Sequence, residues 1–298
     1  MDEVMQNTEK RGRPLTTEFS KLMGFSIHTN LAQNLLWWRN AVMNQDIDFV
    51  CLVDGVEGGG KSVHAMQIAA FMDKDRKIDI DTQVCYTNED LTRAITTLPK
   101  FKSVVFDEAG RGFNRRSSTD KANVQLVNLF RECRKNNLFL FIVMPSFYDM
   151  DMNMAVWRSR CLIHIDYTWD RDNPRKPLSR GLARFYNEKG KKSLYCNKLW
   201  RQQYHYPFLK NMSFDYRFPH HYVVSEEEYR RKKQSSEEAY RQASVPKKPV
   251  CGVCGSVDMR FQTSKSLWVC HICKSERAPT ITTNMEQNIK ESNTSLHG

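Results

Sequence analysis

Three consecutive glycines, Gly58-Gly59-Gly60, stand between the apolar run "DFVCLVD" and the mostly apolar stretch "KSVHAMQIAAFMDK". An ordered glycine costs about 0.5–1 kcal/mol relative to alanine. A glycine run at the junction of a strand and a helix therefore needs something to offset it, and a bound anion is the natural candidate. Gly55-Val56-Glu57-Gly58-Gly59-Gly60-Lys61-Ser62 fits the phosphate-loop pattern G-x-x-x-x-G-K-[ST]. Its glycines let successive backbone N–H groups turn inward around phosphate oxygens. The helix that follows points its positive end at the same place. In such a loop Lys61 reaches the β- and γ-phosphates and Ser62 holds Mg²⁺. Glu57 occupies a variable position, where its side chain can face solvent while its backbone serves the phosphate.

A glycine-rich turn without ligand is the alternative for the loop taken alone. It loses ground about 45 residues on, where "SVVFDEAG" reads as an apolar strand ending in Asp107-Glu108, a Walker B pattern. Asp107 is placed to hold Mg²⁺ through water and Glu108 to polarise an attacking water. The base-recognition signature N-K-x-D of switch GTPases is absent from the sequence. A built-in glutamate suits repeated ATP hydrolysis.

The order of apolar runs sets the expected fold. "IDFVCLVD", "TQVCYT", "FKSVVFDE", "LFLFIVM" and "RCLIHI" read as strands. The intervening "KSVHAMQIAAFMDK", "NEDLTRAITTL" (Asn88 as N-cap) and "DKANVQLVNLFRECRK" read as helices. β-rich runs alternating with helices predict an α/β fold with a mainly parallel sheet. "GLARFYNEKGKKSLYCNKL" is expected to form a hairpin turning at Glu188-Lys189-Gly190. "SEEEYRRKKQSSEEAYRQA" is expected to be a charged connector helix. The expected organisation is a flexible basic tail (1–24), a P-loop ATPase domain (25–205), a helical connector (206–245), a zinc ribbon (246–278) and a disordered tail (279–298). The longest apolar run, Leu138 to Met144, is far below the ~20 residues of a membrane span. No signal-peptide core opens the chain. A cytoplasmic protein is expected, in the host cytoplasm if it is viral.

The stretch "VVFDEAGRGFNRR" followed by "LFRECRKNNLFLFIVMPSFYDMDMNMAVWRSRCLIHI" resembles the additional-strand, catalytic-glutamate class of P-loop ATPases. Within that class it looks like the Zot-type and HerA/FtsK-type ATPases of phages, archaea and mobile elements. The resemblance covers about residues 40 to 170 and is specific only in its Walker motifs. It implies a RecA-like P-loop NTPase core and a sensor position at Ser146, after the "LFLFIVM" strand. It also implies candidate arginine fingers at Arg115, Arg116, Arg158 and Arg160, and a homo-oligomer of the kind that closes into a ring. Zot proteins carry a membrane span after the ATPase domain. This chain shows none, which favours a soluble DNA motor over an export role.

Nine cysteines are present. Cys251-x2-Cys254 and Cys270-x2-Cys273, separated by 15 residues, have four-thiolate zinc spacing. A zinc ribbon is expected, with His271 a bystander and a disulfide pair as the alternative. The formal net charge of +11 favours a polyanionic partner, DNA first. "KRGRPL" resembles an AT-hook core, against a plain basic tail. The expected cofactors are ATP, magnesium and zinc. The expected function is an ATP-hydrolysing DNA motor for translocation or packaging in a virus or mobile element. The alternatives are a replication or recombination helicase, or a nucleotide-switched DNA- or protein-binding module.

Overall fold

The computed structural model describes residues 24–107, 132–169, 177–244, 251–262 and 267–277. The chain divides into two compact units, residues 1–236 and 237–298.

The first unit opens with helix α1 (Thr29–Asn44) and strand β1 (Phe49–Gly55), which leads through the glycine loop into α2 (Lys61–Met72). A short helix α3 (Ile80–Gln83) precedes the two-residue strand β2 (Val84–Cys85). Helix α4 (Asn88–Thr97), β3 (Ser103–Phe106) and β4 (Phe139–Val143) follow. After β4 come a 3₁₀ turn (Phe147–Asp149) and a π-helix (Asn153–Arg158). Strands β5 (Cys161–Trp169) and β6 (Pro177–Tyr186), helix α5 (Glu188–Arg201), β7 (Ser213–Arg217) and helix α6 (Glu226–Ser244) complete the order.

The fold is α/β. Seven strands form one sheet in the order β2-β3-β4-β1-β5-β6-β7. The five strands β2, β3, β4, β1 and β5 are parallel, and β6 and β7 join antiparallel at one edge. β1 is the natural centre, since Phe49 to Asp54 are buried throughout. Its side chains alternate between two cores. Phe49, Cys51 and Val53 pack with α1 and α2 on one face, whereas Val50 and Leu52 pack with α4, the π-helix and α5 on the other. That burial on both faces is why the parallel strands read as unbroken apolar runs.

The structure corrects four details of the sequence reading. "TQVCYT" holds a strand of only two residues, β2 (Val84–Cys85), at the sheet edge, directly after Thr82 and Gln83 close α3. The strand inserted between β1 and β3 is β4, the "LFLFIVM" run. The expected hairpin at Glu188-Lys189-Gly190 is the first turn of α5: Asn187 caps it by accepting the Gly190 N–H at 3.0 Å, and the buried Leu194, Tyr195 and Lys198 keep helical spacing. The N-cap of α4 is Thr87, one residue before Asn88. Lastly, the sheet does not end near residue 205, because β7 pairs with β6 along its whole length. Among the described residues no helix is long and apolar enough to cross a membrane.

Helix α2 is buried from Val63 to Met72, so its polar members need partners inside the protein. His64 meets the Tyr216 hydroxyl on β7 at 2.7 Å and the Gln67 side-chain oxygen at 3.0 Å. Gln67 in turn donates to the carbonyls of Pro219 and His221, both at 2.8 Å. Its amide nitrogen is thereby committed, so its oxygen faces His64 and the proton sits on His64 Nδ1. These bonds fasten the segment after β7 to the helix that carries the glycine loop.

Burial drives the His64 imidazole down to about 4, partly opposed by the Gln67 bond. The unfolded chain takes up this proton near the ordinary value of 6.5. The stability tied to neutral His64 is thus fully present above pH 6.5 and is lost as pH falls toward 4, by up to about 3 kcal/mol. Denaturant titrations of the wild type and His64→Gln should differ most at pH 7. The gap should narrow steadily down to pH 4; a constant gap would contradict this assignment.

Candidate functional site

The glycine loop rises from the carboxyl end of β1, where open parallel sheets leave a crevice. It is anchored on both sides: the Gly55 N–H reaches the Pro145 carbonyl at 3.4 Å and the Val56 N–H reaches the Ile165 carbonyl at 3.0 Å. Gly55 adopts φ +127°, and a Cβ there would lie 1.9 Å from the Ile165 carbonyl oxygen. Only glycine fits so close a backbone approach. Gly60, at φ +101°, is the N-cap of α2 and brings no side-chain cap. The first N–H groups of α2 are therefore left for a ligand, as at other anion-binding helix starts.

Lys61 and Ser62 follow directly. Lys61 Nζ donates to the Gly55 and Val56 carbonyls, each at 2.9 Å, and so closes the loop on itself. Burial lowers its pKa, opposed by the carboxylates of Asp54, Glu57 and Asp107. Ser62 Oγ donates to Asp107 Oδ1 at 2.9 Å. Asp107, one residue past β3, is only 1% exposed. The hydroxyl and carboxylate supply the hard oxygen donors that magnesium takes, directly or through its waters, so the pair fits that ion.

A cavity of about 560 Å³ opens over these groups. Glu57, Gly58, Gly60, Lys61, Ser62 and Asp107 form its floor, and Val143, Met144 and Pro145 form one wall. The opposite wall went unread in the sequence: Arg180 from β6, His220 and Tyr222 from the segment after β7, and Tyr229 and Lys233 from α6. The Tyr229 hydroxyl donates to Asp107 Oδ2 at 2.7 Å, and Lys233 Nζ lies 3.8 Å from the same oxygen. The only hint of this wall in the sequence was Tyr229, a lone aromatic among the charges that open the expected connector helix.

Other site residues fall elsewhere. Glu108, Arg115 and Arg116 lie outside the described residues. Ser146 does not line the cavity; it caps the 3₁₀ turn, and its Oγ accepts the Tyr148 N–H at 3.2 Å. A different group from the same edge of the sheet is more deeply engaged. Asp54, fully buried at the end of β1, accepts from the Phe147 N–H at 2.7 Å, from His164 Nδ1 at 2.9 Å and from the Tyr206 hydroxyl. Tyr206 stacks on His164 with ring centroids 3.6 Å apart. This cluster fixes the segment after β4 beside the glycine loop.

Arg158 and Arg160 are placed at the opposite edge. They precede β5, whose Cys161 is level with Cys51, while the loop begins beside Ile165. Four strand residues, roughly 13 Å, separate the two edges. Arg158 pairs with the buried Asp48. Arg160 pairs with Glu188 at 3.2 Å and covers the Trp38 ring at 5.1 Å. Neither lines the cavity of its own chain.

The second unit carries a separate centre. Strands β8 (Met259–Gln262), β9 (Leu267–Cys270) and β10 (Glu276–Arg277) form an antiparallel sheet in the order β10-β9-β8. The sulfurs of Cys251, Cys254, Cys270 and Cys273 all lie within 4.8 Å of one another. The Cys251–Cys273 and Cys254–Cys270 pairs are each 3.5 Å apart, close to the ~3.8 Å edge of a tetrahedron with Zn–S near 2.3 Å. His271 stands aside, 3.6 Å from Asp258. The Ser275 hydroxyl and the backbone N–H groups of Cys254 and Val253 draw the Cys251 thiol down to about 5. Although the Ser256 N–H favours its thiolate, Cys254 is pushed up by burial and the adjacent sulfurs. Four thiolates this close need a cation, and the four-sulfur set with no open position fits structural zinc.

No protein-family model and no curated protein matches the chain. Among solved structures it is similar to the N-terminal domain of zonular occludens toxin from Neisseria meningitidis. That match covers 47% of this chain and 83% of that one, at 20% identity and a TM-score of 0.31. A likeness at that score bears on neither the chemistry nor the partners of this chain.

Metal analysis of purified protein should return about one zinc per chain. Chelation should melt residues 251–277, whose described core is only Cys251, Met259 and Cys270 with Trp268 against it, too small to hold a fold without metal. The β1–β7 sheet should survive. Retained Trp268 burial after complete metal removal would contradict the structural role.

Proposed function

We propose that the chain is a magnesium-dependent ATPase that moves or remodels DNA. The observation that carries the nucleotide reading is the meeting of Lys61, Ser62 and Asp107 at one cavity mouth, at the open amino end of a buried helix. Backbone N–H groups and Lys61 take the phosphates, while Ser62 and Asp107 hold the metal. Glu108, next to Asp107 in sequence, is assigned the attacking water. Magnesium, when bound, neutralises the phosphate charge that develops as the terminal group leaves. The placement of β4 between β1 and β3 supports the additional-strand, catalytic-glutamate class.

DNA as the partner rests on the net charge of +11. Translocation or packaging for a virus or mobile element is the role this reading favours, with a helicase-type ATPase as the alternative. Assembly into a ring would let Arg115 and Arg116 of one chain serve the nucleotide of the next. The four-cysteine unit is read as a zinc ribbon that contacts DNA or protein.

The test is ATP turnover and nucleotide binding with and without duplex and single-stranded DNA. Lys61→Ala should lose both binding and turnover. Glu108→Gln should bind ATP but turn it over about 10²–10⁴ times more slowly. Wild-type turnover in Glu108→Gln would remove the glutamate from the mechanism. Stimulation by duplex supports a translocase, stimulation by single strands supports the helicase, and no stimulation by either leaves a nucleotide-switched binding module.

A further inference from the structure

Asp107 is the carboxylate that the proposed function gives to magnesium, yet both of its oxygens already have donors. Ser62 Oγ holds Oδ1 at 2.9 Å, and the Tyr229 hydroxyl holds Oδ2 at 2.7 Å. Lys233 brings a positive charge to within 3.8 Å of Oδ2. A hydrated magnesium ion would offer Asp107 the same two things, O–H donors and positive charge. The phenol and the ammonium therefore give Asp107 what a hydrated metal ion would give it.

The contact is built, not incidental. Tyr229 is 6% exposed and its ring lies near Tyr86 and Tyr222, with centroids 6.3 and 5.8 Å away. Between Tyr229 and Lys233 on α6, Lys232 Nζ grips the carbonyls of Ile80, Asp81 and Val84 at 2.6, 3.1 and 2.8 Å. Ser225 caps the start of the helix, its Oγ accepting the Glu228 N–H at 3.3 Å, and three glutamates fill the first turn. Tyr229 thus reaches the carboxylate from a helix fixed at its start and again at Lys232.

We propose that Tyr229, assisted by Lys233, is a lock on the magnesium position: it occupies Asp107 in the empty site, and metal–nucleotide binding must displace it and loosen α6. This rests on the nucleotide reading. The lock makes a specific prediction about metal, because the Tyr229 phenol bonds Asp107 whereas Lys61 bonds the Gly55 and Val56 carbonyls. Removing the phenol should ease magnesium entry and leave metal-free nucleotide binding unchanged.

The experiment titrates magnesium against binding of a fluorescent ATP analogue to the full chain, for the wild type, Tyr229→Phe and Lys233→Met. Tyr229→Phe keeps the ring packing and removes one hydrogen bond to a charged group, so the magnesium half-saturation point should fall roughly tenfold. Lys233→Met should move it the same way without touching the aromatic contacts. Affinity for the analogue in EDTA should be equal in the wild type and Tyr229→Phe, whereas Lys233→Met, which removes a cation from the cavity lining, should bind it more weakly in EDTA. Hydrogen exchange supplies a readout independent of activity. Residues 226–236 of the wild type should exchange faster with magnesium and nucleotide than with nucleotide in EDTA. If Tyr229→Phe binds magnesium equally well or less well while the analogue still binds, the lock is wrong and the nucleotide reading stands. If no form of the protein binds the analogue, the nucleotide reading itself fails, and the lock with it.

Discussion

The site depends on one strand exchange. β1 carries the glycine loop and β3 carries Asp107, but the two are not neighbours, because β4 lies between them. Strands one removed stand about 9–10 Å apart, too far for direct contact between side chains at their tips. Helix α2 closes the gap. It leaves β1 and runs over β4 and β3, contributing Ala65, Ala69 and Met72 to the core beneath. Its second residue, Ser62, thereby comes within 2.9 Å of Asp107. Small side chains at Ala65, Ala69 and Ala70 let the helix lie close to the strands, and that closeness brings a hydroxyl on one element within hydrogen-bonding distance of a carboxylate on another.

The second dependence is of the early chain on the late chain. A helix buried along ten consecutive residues cannot carry His64 and Gln67 without internal partners. Those partners come from β7 and residues 219–221. Phe218 stacks on His64 with centroids 4.0 Å apart and also sits 3.3 Å from where a Gly60 Cβ would be. The residues that satisfy α2 from behind therefore belong to the same segment that lines the cavity from the side through His220 and Tyr222. Packing of the core and shaping of the site are a single structural event.

Much of this was legible because it is local. The strand, glycine loop and helix follow one another in sequence, and the apolar run ending in Asp107 announces a strand tip. The two C-x-x-C knuckles likewise fix a four-sulfur set wherever they fold. What escaped was set by long-range pairing. The "NEKG" segment offers a turn and a helix cap equally well, and only the burial of Leu194, Tyr195 and Lys198 against the far face decides for the helix. β7 pairs with β6 across a helix and a long loop, a connection that local propensity does not encode. Arg158 and Arg160 follow a sensor-like region in sequence, but β5 starts at the opposite edge of the sheet and carries them there. Ser146 is in the right place along the chain, yet it turns its hydroxyl to its own backbone.

Buried charge explains where these elements are fastened, and it also separates the site from the scaffold. Asp73 is fully buried and receives the Ser103 N–H, Gln83 and Lys102, each within 2.9 Å, all from segments adjoining β2 and β3. Asp48 is held by Arg158 across the start of β1 and β5. Lys191, fully buried, donates to the Ala155 and Val156 carbonyls of the π-helix. Each of these charges is neutralised or hydrogen-bonded by groups fixed in the scaffold, and removing any partner leaves an unpaired ion in a medium that stabilises it poorly. Asp107 differs in kind. One of its oxygens is held by Ser62 of the loop helix, and the other by Tyr229 on a helix outside the sheet. Tyr229 lies within a few residues of the point where that helix passes into the second unit. In the proposed lock it is this Tyr229 bond that metal exchanges, and none of the bonds that join β1 to β4 and β5 takes part.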